Sequence, residues 1–156
     1  MSTELRRPRV SAFLALSLDG FIAGEGGDLA WLEPYNGDSQ EETGYGALMA
    51  SVDTLLMGRN TYDIVSAFPE WFYGDKPVVV LTHRPAAPRE HVSFRQGALA
   101  QVLDELILFW GPVTLGRGVP LFAGSLPGGL KPVSSTLLPS GLVRVVYRPE
   151  PLLPAA

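Results

Sequence analysis

The sequence has no cysteine. Disulfides, zinc–thiolate centres and cysteine nucleophiles are therefore excluded. Histidine is scarce: only His83 and His91 occur. That rules out a histidine-rich metal centre, and any Ser-His-Asp triad has to recruit one of the two. Long apolar runs are missing as well, and none reaches the ~20 residues that span a bilayer. The stretch 10–18 is interrupted by Ser11 and Ser17 and runs into Asp19, which is not the layout of a secretory signal. The expectation is a cytoplasmic protein with no membrane contact. Nor is there an excess of positive charge: 12 Lys and Arg stand against 16 Asp and Glu, a formal net charge of -4. Arg6, Arg7 and Arg9 form the one basic cluster, which reads as a solvated arm rather than a nucleic-acid contact.

The chain has 156 residues, 46% of them hydrophobic and 18% charged. These values argue for one folded domain over 1–156, with 1–8 and 149–156 as tails. Residues 10–16 read as a buried strand. A Gly-rich loop with embedded aromatics follows over 19–38, and loops of this length inside compact domains usually carry function. Residues 41–50 read as a helix, capped by Ser39 or Asp38 with acidic residues in its first turn. Residues 52–57 form a second buried strand, turned by Gly58-Arg59 into a short helix over 61–65. Residues 77–81 are the clearest β-branched run. A short strand at 91–95, a brief helix at 97–104 and an apolar strand at 106–110 follow. Residues 112–122 are a Gly-rich connector. Residues 133–138 and 142–148 read as a closing antiparallel hairpin. Helical patterns between apolar strands imply an α/β protein with a mostly parallel sheet covered on both faces.

In such sheets ligands sit beyond the carboxyl ends of the strands. Three segments qualify. In Met57-Gly58-Arg59-Asn60-Thr61-Tyr62, Gly58 lets the backbone leave the strand sharply. Free N–H groups at the helix start bind anions, Arg59 offers a planar donor fork and Thr61 a hydroxyl. An ordinary strand–helix turn with a surface arginine is the competing reading. Thr82-His83-Arg84 follows the next strand, and with Arg59 it could clamp a phosphate; solvated charges at a strand end are the alternative. In the stretch from Ser17 to Trp31, Asp19 is the carboxylate nearest a strand end, and the loop could close over a substrate. Here the alternative is an Asp19-Gly20 turn with Trp31 as a core anchor. Gly116-Arg117-Gly118 lacks the context of a dinucleotide fingerprint, because Pro120 follows at once. A hydrolase using Ser17 or Ser66 has little support, since neither serine lies in a nucleophile-elbow sequence.

Read in order, Ala15-Leu16-Ser17-Leu18-Asp19-Gly20-Phe21-Ile22-Ala23, Trp31, Met57 to Tyr62, Leu81-Thr82, Asp104-Glu105-Leu106, Pro112 to Gly116 and Pro120-Leu121-Phe122 resemble the dihydrofolate-reductase-like family. The nearer likeness is to bacterial proteins related to the C-terminal reductase domain of riboflavin biosynthesis. The resemblance implies a three-layer α/β sandwich and an NADPH-dependent reductase of a pterin- or pyrimidine-like heterocycle, with a homodimer as the expected assembly. It implies that Gly58, Arg59 and Thr61 hold cofactor phosphates and that Leu81, Thr82, His83 and Arg84 line the adenosine end. By it Ala15 and Ile22 face the nicotinamide, and Ser17, Asp19 and Trp31 lie near the substrate, with Asp19 the best catalytic candidate. The cofactor would carry the chemistry, and the protein would orient it.

Two departures stand out. Dihydrofolate reductases place a carboxylate on the first helix, shortly after the tryptophan; here Pro34, Tyr35 and Asn36 occupy that stretch and Glu33 is the only nearby acid. Folate is disfavoured accordingly. Family members also carry a strand ending in a Gly-Gly turn, then a helix, before the Asp-Glu-Leu strand, and 95–103 is too short for both. Either that strand is lost or the sequence omits a segment; if it is lost, the alternative is a non-catalytic, dimeric ligand-binding protein that keeps the fold.

Overall fold

A computed structural model describes residues 8–35, 43–97, 103–122 and 129–150. The fold is mixed α/β, with three sheets and few helices among the described residues. Backbone contacts divide the chain into two compact units: residues 1–45 with 100–156, and residues 46–99.

The first unit holds β1 (Ser11–Leu16), β2 (Phe21–Ala23), β6 (Glu105–Trp110), β7 (Val119–Pro120), β8 (Leu130–Leu137) and β9 (Val143–Pro149). Four of them form a sheet in the order β1-β6-β9-β8. β1 runs parallel to β6, with Ser11 opposite Glu105 and Leu16 opposite Trp110. β9 is antiparallel to both β6 and β8. Leu106, Ile107, Leu108 and Phe109 are all buried, as expected of a central strand covered on both faces. The period of two then sorts them. Ile107 and Phe109 join Leu138, Leu142 and Val146, with Phe13 and Ala15 of β1 packed on that face. Leu106 and Leu108 join Leu16 on the other, with Ala12, Leu14 and Ile22.

The second unit holds β3 (Leu55–Gly58), β4 (Val78–Leu81) and β5 (Val92–Arg95), all parallel and in that order. It also contains α2 (Arg59–Ser66); α1 (Tyr45–Ser51) lies at the chain junction of the two units. Its core is Met57, Tyr62, Val78 and Val80. β-branched residues suit the central β4, where Val78 and Val80 are 1% and 0% exposed.

Several expectations change. The parallel character is confined to β1-β6 and to the β3-β4-β5 sheet, and two of the three pairings in the four-stranded sheet are antiparallel. The loop expected at 19–38 contains β2 and two short 3₁₀ helices, Glu25–Gly27 and Ala30–Tyr35. β2 forms because it pairs with β7, inside the expected connector. The described first helix is α1, whereas 41 and 42 lie outside the described residues, as does most of the expected helix at 97–104. Pro149 is not tail but pairs with Leu130. Between β5 and β6 there is no strand among the described residues. Among the described strands β1 and β3 each lie at the edge of their own sheet. Both are apolar and lack the charges that usually protect an edge.

Candidate functional site

Two groups of loops lie beyond the carboxyl ends of parallel strands, one in each unit.

In the second unit β3 passes directly into α2, and Gly58 is the residue before the helix, with φ -78 and ψ 165. That conformation is open to any residue, so the expected need for glycine freedom does not hold. Packing does not require glycine either, since a Cβ here would meet nothing within 4 Å. Arg59 opens the helix, and part of its guanidinium is engaged within the protein. Nε donates to Asp63 at 2.7 Å, and Nη1 donates to the carbonyls of Arg84 and Pro85 at 3.1 and 3.0 Å. Its side chain is only 19% exposed. Arg59 thus staples the start of α2 to the loop after β4, a task suited to its rigid fork.

The loop after β4 is shaped by Thr82. Its hydroxyl accepts the Arg84 N–H at 3.0 Å. A pocket of about 450 Å³ opens there, lined by Thr82, His83, Arg84, Phe94 and Arg95 among others. Arg84 is 60% exposed, with Nη2 3.3 Å from the Asn60 side-chain oxygen and 3.5 Å from Asp63. Arg84 and Arg95 are both exposed there, and Arg95 Nη1 donates to the Phe94 carbonyl at 3.0 Å. Arg95, at the end of β5, was not among the residues singled out in the sequence; only its register opposite Leu81 brings it there. Thr61 is exposed on α2, and Leu81 is half-buried at the end of β4.

In the first unit the chain turns sharply after β1. Ser17 is fully buried. Its hydroxyl donates to Asp19 at 2.6 Å and accepts the Phe21 N–H at 3.0 Å. It builds the turn and is not a surface for substrate. Asp19 accepts three bonds: from Ser17 and the Leu115 N–H (3.1 Å) on Oδ1, and from the Gly116 N–H (2.8 Å) on Oδ2. The Ser17 hydroxyl, and then these backbone donors, hold its carboxyl below the usual carboxylate range, against an opposing effect of desolvation. An ionised carboxylate with both oxygens engaged is a poor general acid.

Trp31 packs over Gly111, where a Cβ would come within 3.0 Å of its ring. Its buried indole N–H has no partner among the described residues. Ala15 and Ile22 pack on opposite faces of the sheet, so their side chains do not share one surface.

No family model matches the chain. The uncharacterized protein YwjB of Bacillus subtilis is 33% identical over 141 residues, 70% of this chain and 80% of the relative. A provisionally assigned riboflavin biosynthesis protein from Shewanella has a TM-score of 0.74 and 32% identity, covering 90% of this chain and 98% of that one. Dihydrofolate reductase from Enterococcus faecalis, in a complex with NADP(H), has a TM-score of 0.63 over 92% of this chain and 97% of that one. The chain belongs to the dihydrofolate-reductase-like family. At 18% identity the Enterococcus enzyme shows the shared fold alone. The YwjB alignment is informative in another way. An alignment of 141 positions that takes in 70% of 156 residues includes positions this chain leaves empty.

Proposed function

We propose that this protein is an NADPH-dependent reductase of a pterin- or pyrimidine-like heterocycle, a cytoplasmic homodimer built as a single three-layer domain. The observation that carries the reading is the pocket beyond β4 and β5, where Thr82, His83, Arg84 and Arg95 meet. Two exposed guanidinium groups suit a phosphate-bearing nucleotide, and the open space beside Gly58 lets an anion approach the first turn of α2. These residues fit the adenosine-phosphate end of a dinucleotide. Thr82, His83 and Arg84 would hold it, with Gly58 and Thr61 beside them and Arg59 keeping the loop in place. When bound, NADPH supplies the hydride.

NADPH fluorescence titration tests the reading. Binding is expected, weakened about tenfold by Arg84→Ala, the scale of one charge-assisted hydrogen bond at an exposed site. Absence of binding at millimolar cofactor would refute it.

One observation favours a second reading, a ligand-binding protein without turnover: the described chain has no strand or Gly-Gly turn between β5 and β6. NADPH binding with no oxidation of the cofactor by any reducible pterin or pyrimidine supports this reading.

A further inference from the structure

Asp19 sits at the centre of a connection between two loops that are distant in sequence. The Leu18 N–H donates to the Val113 carbonyl at 2.7 Å, and the Leu121 N–H donates to the Gly20 carbonyl at 3.0 Å. These backbone bonds anchor the two ends of the 113–121 segment. Gly118 lies so close to Ala23 that a Cβ would overlap the Ala23 carbonyl oxygen. Between the anchors, Leu115 and Gly116 are held by one carboxylate alone. Both residues also line a pocket of about 520 Å³, together with Gly24, Glu25, Asp28 and Arg117. Arg117 and Glu25 are 3.8 Å apart and well exposed, at 83% and 74%.

We propose that Asp19 is a positioning residue: its ionised carboxylate latches Leu115 and Gly116 onto the Ser17 turn and so sets one wall of the Glu25–Arg117 pocket. The reason is the pattern of donors. Three donors converge on two oxygens, and an ionised carboxylate accepts on both without a proton of its own to oppose a donor. Asparagine would turn an NH₂ towards the Gly116 N–H, donor against donor. The backbone anchors at Val113 and Leu121 survive that change, so the loop loosens only between them. The latch stands on the geometry of the first unit and does not depend on NADPH binding, so either reading can fail without the other.

Amide hydrogen exchange of the full chain tests it. In Asp19→Asn the Leu115 and Gly116 amides are expected to exchange at least ~10-fold faster, the scale of a lost charge-assisted bond. The amides of β6 and β9 should keep their rates, and tryptic cleavage after Arg117 should quicken. In the unaltered protein the Leu115 and Gly116 amide resonances should shift together as the Asp19 carboxyl titrates, a signature that packing alone does not produce. Ser17→Ala, which removes one donor but leaves both backbone bonds, should give a smaller acceleration. Unchanged exchange in a folded Asp19→Asn overturns the proposal. If that variant does not fold, amide resonances that ignore the carboxyl titration overturn it equally.

Discussion

Asp19 and Arg59 invite a reading as reactive or ligand-binding groups, and both are engaged within the protein. Arg59 has its Nε and Nη1 on Asp63, Arg84 and Pro85. Asp19 has both oxygens on the two loops it joins. The depressed Asp19 pKa has a consequence for stability. A carboxyl whose folded pKa lies below its unfolded value stabilises the fold above the unfolded pKa of about 3.9, and that contribution disappears as pH falls through the folded value. The stability gap between the unaltered protein and Asp19→Asn should therefore be full near neutral pH and shrink below about pH 4. Urea unfolding of both proteins across that range measures it. A gap that stays constant in acid contradicts an ionised latch.

Among the elements, the two-stranded β2-β7 pair has the least tolerance. It joins the turn after β1 to the connector after β6. Gly118, at φ +146, presses against the Ala23 carbonyl, and there is no flexible side chain there to move aside. Gly118→Ala should cost on the order of 3 kcal/mol, since both the backbone conformation and a rigid contact oppose the methyl group. Gly116→Ala, at φ +72 in open space, should cost less, about 1 kcal/mol. Denaturant unfolding of the pair distinguishes them, and equal losses would show that the close approach to Ala23 is not what fixes glycine at 118. The other instructive elements are the edges. β1 and β3 read as buried strands in the sequence because they are apolar and free of charge, yet each has a paired neighbour on one side only among the described strands. A hydrophobic run records that a strand is covered, and does not record which strand lies next to it.

At the scale of the whole molecule, the second unit is inserted in the chain between the two halves of the first. Ligand binding confined to one unit should therefore stabilise that unit directly. The tryptophans distinguish them: Trp31 and Trp110 belong to the first unit and Trp71 to the second. Trp71 packs edge-on against Tyr62 and Tyr73 and under Arg89, so its fluorescence follows unfolding of the second unit. With Trp31 and Trp110 replaced by Phe, NADPH at about 100 times its dissociation constant should stabilise the Trp71 transition by about 2.7 kcal/mol. An unmoved transition at saturating cofactor would place the binding site outside this unit.

The sequence by itself determined which chemistries are closed to this protein, which stretches are apolar strands, and the order of motifs that marks the dihydrofolate-reductase-like family. Composition and short-range periodicity carry that information, because strand burial and turn chemistry act between near neighbours in the chain. Only the tertiary structure decided which polar groups remain available. Arg59 is occupied by carbonyls 25 and 26 residues away, and Asp19 by amides 96 and 97 residues away. No local pattern encodes such distant partners. The same holds for Arg95, brought beside Thr82 by strand register. A charged side chain's role depends on which donors and acceptors reach it first, and in this protein those come from distant parts of the chain.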